Sequence, residues 1–175
     1  MILHYFNKKE NNDRKIANKI YLSLIDFIQL FLNKSDLKIK KDFNSSFELM
    51  TIFLFAIFFF YKKKIKNKDI KQYLMNLYII DLDKSLRELG IGDMSIGKYV
   101  KSYVKKFYYR ISQLEIIFRV NNYKAFDKYI NKINIQSKSN NHSDLSKSLF
   151  IAVNDLFKRA KKNDLSKLTL KNSTN

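Results

Sequence analysis

The sequence predicts an all-α fold, a single compact bundle of about five to six helices. The first indication is a shortage of turn residues: the chain has no proline and only three glycines, whereas sandwiches and barrels need many Gly- and Pro-containing turns. The second is an apolar fraction of 46%, which is sufficient for a packed interior although 29% of the residues are charged. The third is the length, because 175 residues is the size of one ordinary domain with one core.

Apolar residues recur at helical spacing through most of the chain. This pattern predicts a helical domain at residues 13–162, preceded by an N-terminal extension at 1–12 and followed by a flexible basic tail at 163–175. Residues 34–44 and 136–143 are polar connections, and Asp144 fits the N-cap of the last helix. The predicted helices are 13–33, 47–64, 68–89, 95–120, a shorter and weaker one near 125–130, and 144–162.

The predicted helix 95–120 has the clearest two-faced pattern. One face carries apolar residues at steps of three and four, and Lys98, Lys101, Lys105 and Tyr109 lie opposite as a candidate partner-binding face, with an ordinary solvated face as the alternative. The apolar face consists of Ile96, Val100, Tyr103, Val104, Phe107, Ile111, Leu114 and Phe118.

The predicted helix 47–64 contains the most apolar stretch. Ser45 or Ser46 is expected to cap it, with Glu48 near its positive N-terminus. Its apolar run, residues 49–61, would reach about 20 Å as a helix, against a hydrocarbon thickness of roughly 30 Å. A helix that is apolar on every side is typical of a bundle centre, so we predict a buried central helix, with membrane contact as the alternative.

The formal charge of +18 is compatible with binding to nucleic acid or to an anionic membrane. Lys, Asn, Ile, Phe and Tyr are abundant while Ala, Gly, Pro and Arg are scarce, as is typical of AT-rich genomes, so codon usage accounts for part of the lysine excess. A basic helical protein that binds nucleic acid or the ribosome stays open as the alternative function. Arginine is rare and suggests sites that need its planar fork: Arg14, Arg87, Arg110, Arg119 and Arg159.

No residue pattern predicts catalysis, a metal site or a cofactor. The absence of cysteine excludes disulfides, thiolate metal sites and cysteine nucleophiles. The two histidines lie far apart, His4 in a terminal segment and His142 in a polar linker. Asp81 and Asp83 diverge by about 200° on a helix and cannot share one ligand. We therefore do not expect an enzyme.

Residues 92–98, Gly-Asp-Met-Ser-Ile-Gly-Lys, match the first seven positions of a P-loop. Tyr99 stands where a P-loop has the Ser or Thr that coordinates magnesium, and the preceding segment is predicted to be a helix instead of a strand. We interpret Gly90, Gly92 and Gly97 as residues that shape a turn between two helices, with Gly90 as the helix stop.

The same region resembles the ubiquinol–cytochrome c chaperone family. A helix ends in Asp-Leu-Asp-Lys-Ser-Leu-Arg-Glu-Leu-Gly-Ile-Gly-Asp, and a helix with Gly-Lys and then Phe-Tyr-Tyr-Arg follows. Phe47-Glu48-Leu49 and the apolar helix are similar to a second family block, so the resemblance covers roughly 13–120. The motif residues are Asp81, Asp83, Leu86, Arg87, Glu88, Gly90, Gly92, Asp93, Gly97, Lys98, Phe107, Tyr108 and Arg110.

The chain departs from the family pattern in two places. Residues 37–44 occupy the place of the family's usual Gly-Val-Pro-Asp turn, and the apolar helix lacks the family's usual histidine. The C-terminal third matches only loosely.

The resemblance implies a non-enzymatic assembly chaperone for the cytochrome bc complex, the ubiquinol–cytochrome c oxidoreductase. Its partner would be newly made cytochrome b or another subunit of that complex, with the ribosome or an anionic membrane surface nearby, and with no cofactor or small-molecule substrate. The first ten residues show neither a signal pattern nor a transit pattern. We therefore expect a bacterial cytoplasmic protein, peripheral on the inner face of the inner membrane.

Two structural expectations concern charged residues of this segment. Arg87 or Arg110 is expected to pair with a carboxylate between positions 81 and 93, and Asp83 is expected to pair with Arg87 one helical turn away. Asp81 continues an apolar stripe, so it needs a partner such as an arginine or backbone amides.

Overall fold

The structure is a computed structural model that describes residues 2–61, 68–137 and 142–161. The described residues form six α-helices, which confirms the predicted all-α class. A short 3-10 helix, Ser35–Leu37, lies between the first two. The α-helices are α1 (Ile2–Leu32), α2 (Phe43–Tyr61), α3 (Lys68–Glu88), α4 (Asp93–Arg119), α5 (Tyr123–Ile133) and α6 (His142–Lys161).

Helix α2 is the centre of the bundle. It packs against α1, α3, α4 and α6, and its residues from Phe47 to Phe58 are buried without interruption. A helix that meets neighbours on every side needs no polar face, which explains its uniformly apolar sequence. In the described ranges, no helix is both long enough and apolar enough to cross a membrane.

The start of α2 corrects the predicted cap. The helix begins at Phe43, and Asp42 caps it, because the Ser45 N–H donates to Asp42 Oδ1 over 2.7 Å. Ser46 instead donates its hydroxyl to the Asp42 carbonyl oxygen within the first turn. The prediction of a cap at Ser45 or Ser46 was wrong, since the helix begins before both serines and Asp42 accepts from an amide of its first turn. The predicted end of α2 at residues 62–64 lies outside the described residues.

The connection before α2 is packed against another part of the chain. Leu37 and Ile39 are buried, and Ile39 forms an isolated antiparallel bridge with Gln136. Gln136 Nε2 also donates to the Leu37 carbonyl oxygen over 3.0 Å. Residues 34–44, predicted as a polar break, therefore contribute two apolar side chains to the core.

The C-terminal helices also differ in extent from the prediction. Asn122 caps α5 by accepting from the Ala125 N–H over 3.0 Å, so this helix is longer than the predicted 125–130. Helix α6 begins at His142, which makes the predicted N-cap at Asp144 wrong. The buried residues of the two helices are Phe126, Tyr129, Ile130, Ile133, Leu145, Leu149, Val153 and Leu156, together with Ser146.

Helix α1 confirms the predicted end near residue 33 but begins at Ile2. It therefore runs through most of the proposed extension, and the domain division at residue 13 stays a prediction. The proposed tail at 163–175 lies outside the described residues.

Candidate functional site

The turn between α3 and α4 is built by the glycines of the family-like segment. Gly90 has a left-handed backbone with φ of 88°, and its N–H donates to the Arg87 carbonyl oxygen over 2.8 Å. The Ile91 N–H donates to the Leu86 carbonyl oxygen over 3.2 Å. These two bonds form a Schellman motif, so Gly90 ends α3 as predicted.

The residues of the P-loop-like segment have no phosphate cradle. Helix α3 precedes the turn, and α4 begins at Asp93 directly after Gly92. The N–H groups of Ser95 and Ile96 already donate to the Gly92 carbonyl oxygen. A phosphate loop needs a strand before it, whereas this segment follows a helix.

Arg87 joins the two helices across this turn. Its Nε donates to Asp83 Oδ1 over 2.6 Å, and its Nη1 donates to Asp93 at the start of α4. The bonds to Asp93 and Asp83 raise the pKa of Arg87. This confirms the predicted pairing of Arg87 with Asp83. The Asp93 side chain is largely exposed to solvent, and those of Arg87 and Asp83 are partly exposed.

Arg110 faces the opposite way, into the bundle. Its guanidinium donates to both carboxylate oxygens of Glu48, at 3.1 to 3.3 Å. Lys106 Nζ lies 3.1 Å from Glu48 Oε1. Glu48 is only 1% exposed, so this buried ion cluster ties α4 to the central helix α2. Of the two arginines for which an acid at 81–93 was considered, Arg87 has one, and Arg110 pairs with Glu48 instead.

Aromatic rings surround the buried ion cluster. Lys106 Nζ lies 4.8 Å from the centroid of the Phe47 ring, and the Arg110 guanidinium carbon lies 5.8 Å from that of Tyr129. Burial is the main cause that raises the pKa of Tyr129. Lys106 and Arg110 therefore contact the faces of aromatic rings as well as the Glu48 carboxylate, and both kinds of contact stabilise a cation.

Asp81 is held by a side chain that the sequence did not suggest. Tyr21 of α1 donates its hydroxyl to Asp81 Oδ2 over 2.8 Å. Burial, followed by the nearby Asp81 charge, raises the pKa of Tyr21, so the phenol stays a neutral donor at physiological pH. Asp81 and Asp83 diverge as predicted, because Asp83 turns to Arg87.

Asp81 lies in the wall of a groove of about 300 Å³ between α1, the first turns of α2 and the second half of α3. We call it the α1–α3 groove. It is mainly apolar, and Asp81 is the one carboxylate among its lining residues. The lining consists of Ile25, Ile28, Gln29, Leu32, Phe43, Ser46, Phe47, Met50, Tyr78, Asp81, Leu82 and Ser85.

The outer side of α4 is exposed along its whole length. The predicted candidate residues Lys98, Lys101, Lys105 and Tyr109 are all exposed. Lys106, by contrast, points inward to Glu48. Exposed apolar residues continue the same face toward both ends of the helix. We define the outer stripe of α4 as Met94, Lys98, Lys101, Lys105, Tyr108, Tyr109 and Ile116.

The thirteen family-motif residues thus divide among different tasks. Leu86 and Phe107 are buried in the core. The exposed motif residues at the turn and in the first turns of α4 are Arg87, Glu88, Gly90, Gly92, Asp93, Gly97 and Lys98. The structure does not bring the thirteen together in one pocket. Sequence reasoning missed the α1–α3 groove and the role of Glu48; the rarity of arginine was the one signal that pointed to the buried cluster.

The two histidines of the sequence lie on different helices. His4 lies within α1 and His142 begins α6, and their side chains lie outside the described part of the structure. Among the described residues, no three His, Cys, Asp or Glu side chains form a group that could hold a metal ion.

Comparisons with known proteins agree with this architecture. The family described as ubiquinol-cytochrome C chaperone matches residues 35–124, just over half of the chain. The crystal structure of the Cbp3 homolog from Brucella abortus has the same fold, with a TM-score of 0.79 and 19% sequence identity over 95% of this chain and 93% of that chain. No curated protein matches the chain.

Proposed function

Because the chain belongs to the ubiquinol-cytochrome C chaperone family, we propose that it is a non-enzymatic assembly chaperone of the cytochrome bc complex that binds newly made cytochrome b. We further propose that it works at the inner face of the bacterial inner membrane. The observation that carries the proposal is the family match over residues 35–124. The geometry adds a surface suited to such a client, the α1–α3 groove.

The groove has the chemistry that an apolar membrane protein needs from a chaperone. Most of its lining is aliphatic or aromatic, and its volume is at the small end of the range for ligand pockets. It suits a few apolar side chains of an extended or helical segment. The Asp81 carboxylate in its wall favours a segment that also carries a lysine or arginine.

Two walls of the groove come from the family-matched part of the chain. Phe47 belongs to the second family block and Asp81 to the main motif, and both line the groove. The wall from α1 lies before residue 35 and completes the surface. A groove with two of its three walls inside the family match is a better candidate for a client shared by the family than a surface wholly outside the match.

The test is to fill the groove without removing core atoms. Ser85 lines the groove and is partly exposed, so Ser85→Trp should occupy the space that a client side chain needs. Lys84→Trp is the matched control, because Lys84 is exposed, adjacent and outside the lining. Newly made cytochrome b should be recovered with the tagged native chain and the control, and several-fold less with Ser85→Trp.

Circular dichroism and the thermal midpoint of both variants should match the native chain, which separates blocked binding from unfolding. If the native chain recovers no cytochrome b, the proposed client is wrong. If Ser85→Trp recovers it as well as Lys84→Trp does, the groove is not the binding surface.

A further inference from the structure

The lysines on the outer side of α4 have no partner within the described part of the chain. None of the described side chains makes an ion pair with Lys98, Lys101 or Lys105. The two acids of α4 are already engaged, since Asp93 binds Arg87 and Glu115 binds Arg119 over 2.7 Å. The outer stripe of α4 therefore presents uncompensated positive charge.

Apolar side chains share the stripe with these lysines. Met94 is fully exposed at the start of α4, Ile116 is 68% exposed near its end, and Tyr108 and Tyr109 are about half exposed between them. Positions 94, 98, 101, 105, 109 and 116 recur at steps that keep one helical face. The stripe is about 33 Å long, at 1.5 Å per residue.

We propose that the outer stripe of α4 docks the protein flat on an anionic lipid bilayer. The three ammonium groups would bind lipid phosphates, and the tyrosine rings would lie at the level of the headgroups, where amphipathic aromatic side chains are favoured. Met94 and Ile116 would enter the boundary between headgroups and acyl chains, as the apolar residues of interfacial helices do.

The composition of the stripe favours lipid over nucleic acid. Methionine and isoleucine gain nothing from a phosphate backbone, but they gain free energy on leaving water for the membrane interface. The free cations of the stripe are lysines, whereas the exposed arginines next to it are already paired, Arg119 with Glu115 and Arg87 with Asp83 and Asp93. Recognition of nucleic acid favours the arginine fork, and a diffuse anionic surface does not require it.

The inner side of α4 keeps the stripe in a fixed orientation. Phe107 is fully buried against Phe58 and Tyr78, and Arg110 is anchored to Glu48. A helix held at these points presents its outer face without a folding step on binding, which lowers the entropy cost of docking. No residue of α4 lines the α1–α3 groove, so a docked protein keeps its groove available.

Sedimentation of the full chain with lipid vesicles tests the proposal. The chain should bind vesicles of equal parts phosphatidylcholine and phosphatidylglycerol, and it should bind pure phosphatidylcholine much more weakly. The variant Lys98→Glu/Lys101→Glu/Lys105→Glu should weaken binding to the anionic vesicles on the order of 100-fold, since each surface lysine contributes a factor of about five.

A matched control separates the stripe from the overall charge. Lys124, Lys128 and Lys132 are exposed on α5 at helical spacing, so their triple reversal to Glu changes the net charge equally. It should weaken binding far less. The double variant Met94→Ser/Ile116→Ser, which keeps every charge, should weaken vesicle binding several-fold and leave any binding to ribosomal RNA unchanged.

A fluorescent reporter locates the contact. The chain contains no tryptophan, so Tyr109→Trp introduces a single emitter on the stripe. Its emission should shift to shorter wavelength with anionic vesicles, whereas the emission of Lys84→Trp should not.

The proposal is wrong if the native chain ignores anionic vesicles, or if the α5 reversal weakens binding as much as the α4 reversal. It is also wrong if the native chain binds RNA more tightly than the anionic vesicles and Met94→Ser/Ile116→Ser changes neither the binding to RNA nor the binding to vesicles. Recovery of cytochrome b from detergent extracts tests the groove without a membrane. If the stripe does not bind vesicles, the proposal that the groove binds cytochrome b is unaffected. If the groove does not bind cytochrome b, the proposal of membrane docking is likewise unaffected.

Discussion

Two arginines of the family motif, Arg110 and Arg87, make ion pairs in opposite surroundings. Arg110 reaches Glu48, which is 1% exposed, from a helix 62 residues away in sequence. Arg87 reaches Asp83 one turn earlier and Asp93 across a tight turn, in solvent. Both arginines bind carboxylates, but water competes much more strongly for the exposed pairs of Arg87 than for the buried pair of Arg110 with Glu48.

The difference in burial determines how much each arginine contributes to the stability of the bundle. A buried carboxylate without its partner keeps an uncompensated charge in a medium of low dielectric constant, whereas an exposed one is solvated at once. We therefore expect the buried ion cluster to dominate stability. We expect the turn at Arg87 to depend on its backbone instead of its charges.

The largest effect is expected for Arg110→Ala. It leaves Glu48 buried with only Lys106, so it should reduce the free energy of unfolding by roughly 3 kcal/mol, measured by urea denaturation. Arg119→Ala, which breaks an exposed pair with Glu115, should reduce it by less than about 1 kcal/mol. Equal losses in the two variants would contradict the dominant role of the buried cluster. Combining Glu48→Leu with Arg110→Met should recover part of the loss.

The next effect concerns the backbone of the turn. Gly90→Ala forces a side chain into a left-handed conformation and should reduce the free energy of unfolding by about 1 kcal/mol or more. Gly97→Ala is the matched control and should increase the free energy of unfolding. Gly97 lies inside α4 with open space where an added Cβ would be, and alanine is a better helix former than glycine. If Gly90→Ala were as stable as Gly97→Ala, the left-handed turn would not exist in solution.

The N-cap of α2 gives an intermediate effect that depends on pH. Asp42→Ala should reduce stability by about 1 kcal/mol at neutral pH. The Ser45 N–H lowers the pKa of Asp42, so this contribution is present above the usual aspartate pKa of about 4 and is lost as the pH falls through the lowered value of the folded state. The difference between the native chain and Asp42→Ala, measured by urea denaturation, should therefore shrink on acidification. A difference that grows instead would contradict the cap.

A smaller effect is expected for Arg87→Ala. The guanidinium and both carboxylates are accessible to solvent in the folded chain, and the two carboxylates stay solvated once the guanidinium is removed. The urea midpoint should therefore hardly move and should change less than in Gly90→Ala. A loss as large as that of Arg110→Ala would mean that the exposed pairs hold α3 and α4 together, and it would overturn the comparison between the two arginines.

The sequence was sufficient to predict the parts of the fold that depend on local spacing. Helix α4 was predicted within two residues at its start because its apolar residues repeat at steps of three and four, and Gly90 was recognised because a left-handed stop needs glycine. The same reasoning identified Asp83 as the partner of Arg87, since the two are one turn apart.

Partners from distant parts of the chain were not predictable in this way. Glu48 and Arg110 are separated by 62 residues, and Tyr21 and Asp81 by 60. Their pairing depends on how α2 packs on α4 and α1 on α3, which no local pattern encodes. The α1–α3 groove has the same cause, because three helices form its lining. The cap of α2 failed for another reason: three residues close together, Asp42, Ser45 and Ser46, could each cap a helix.

A small effect on stability per residue and the most specific effect on function are expected for the outer stripe of α4. Reversal of Lys98, Lys101 and Lys105 to Glu should change the free energy of unfolding by about 0.5 kcal/mol or less per residue, because exposed substitutions rarely do more. If the stripe docks the protein, cells with this variant should accumulate less cytochrome b and less assembled bc complex. The α5 reversal of Lys124, Lys128 and Lys132 should leave both near normal. Normal levels of the complex with the α4 variant would make the stripe an ordinary solvated surface, and the α1–α3 groove would then be the one candidate contact left.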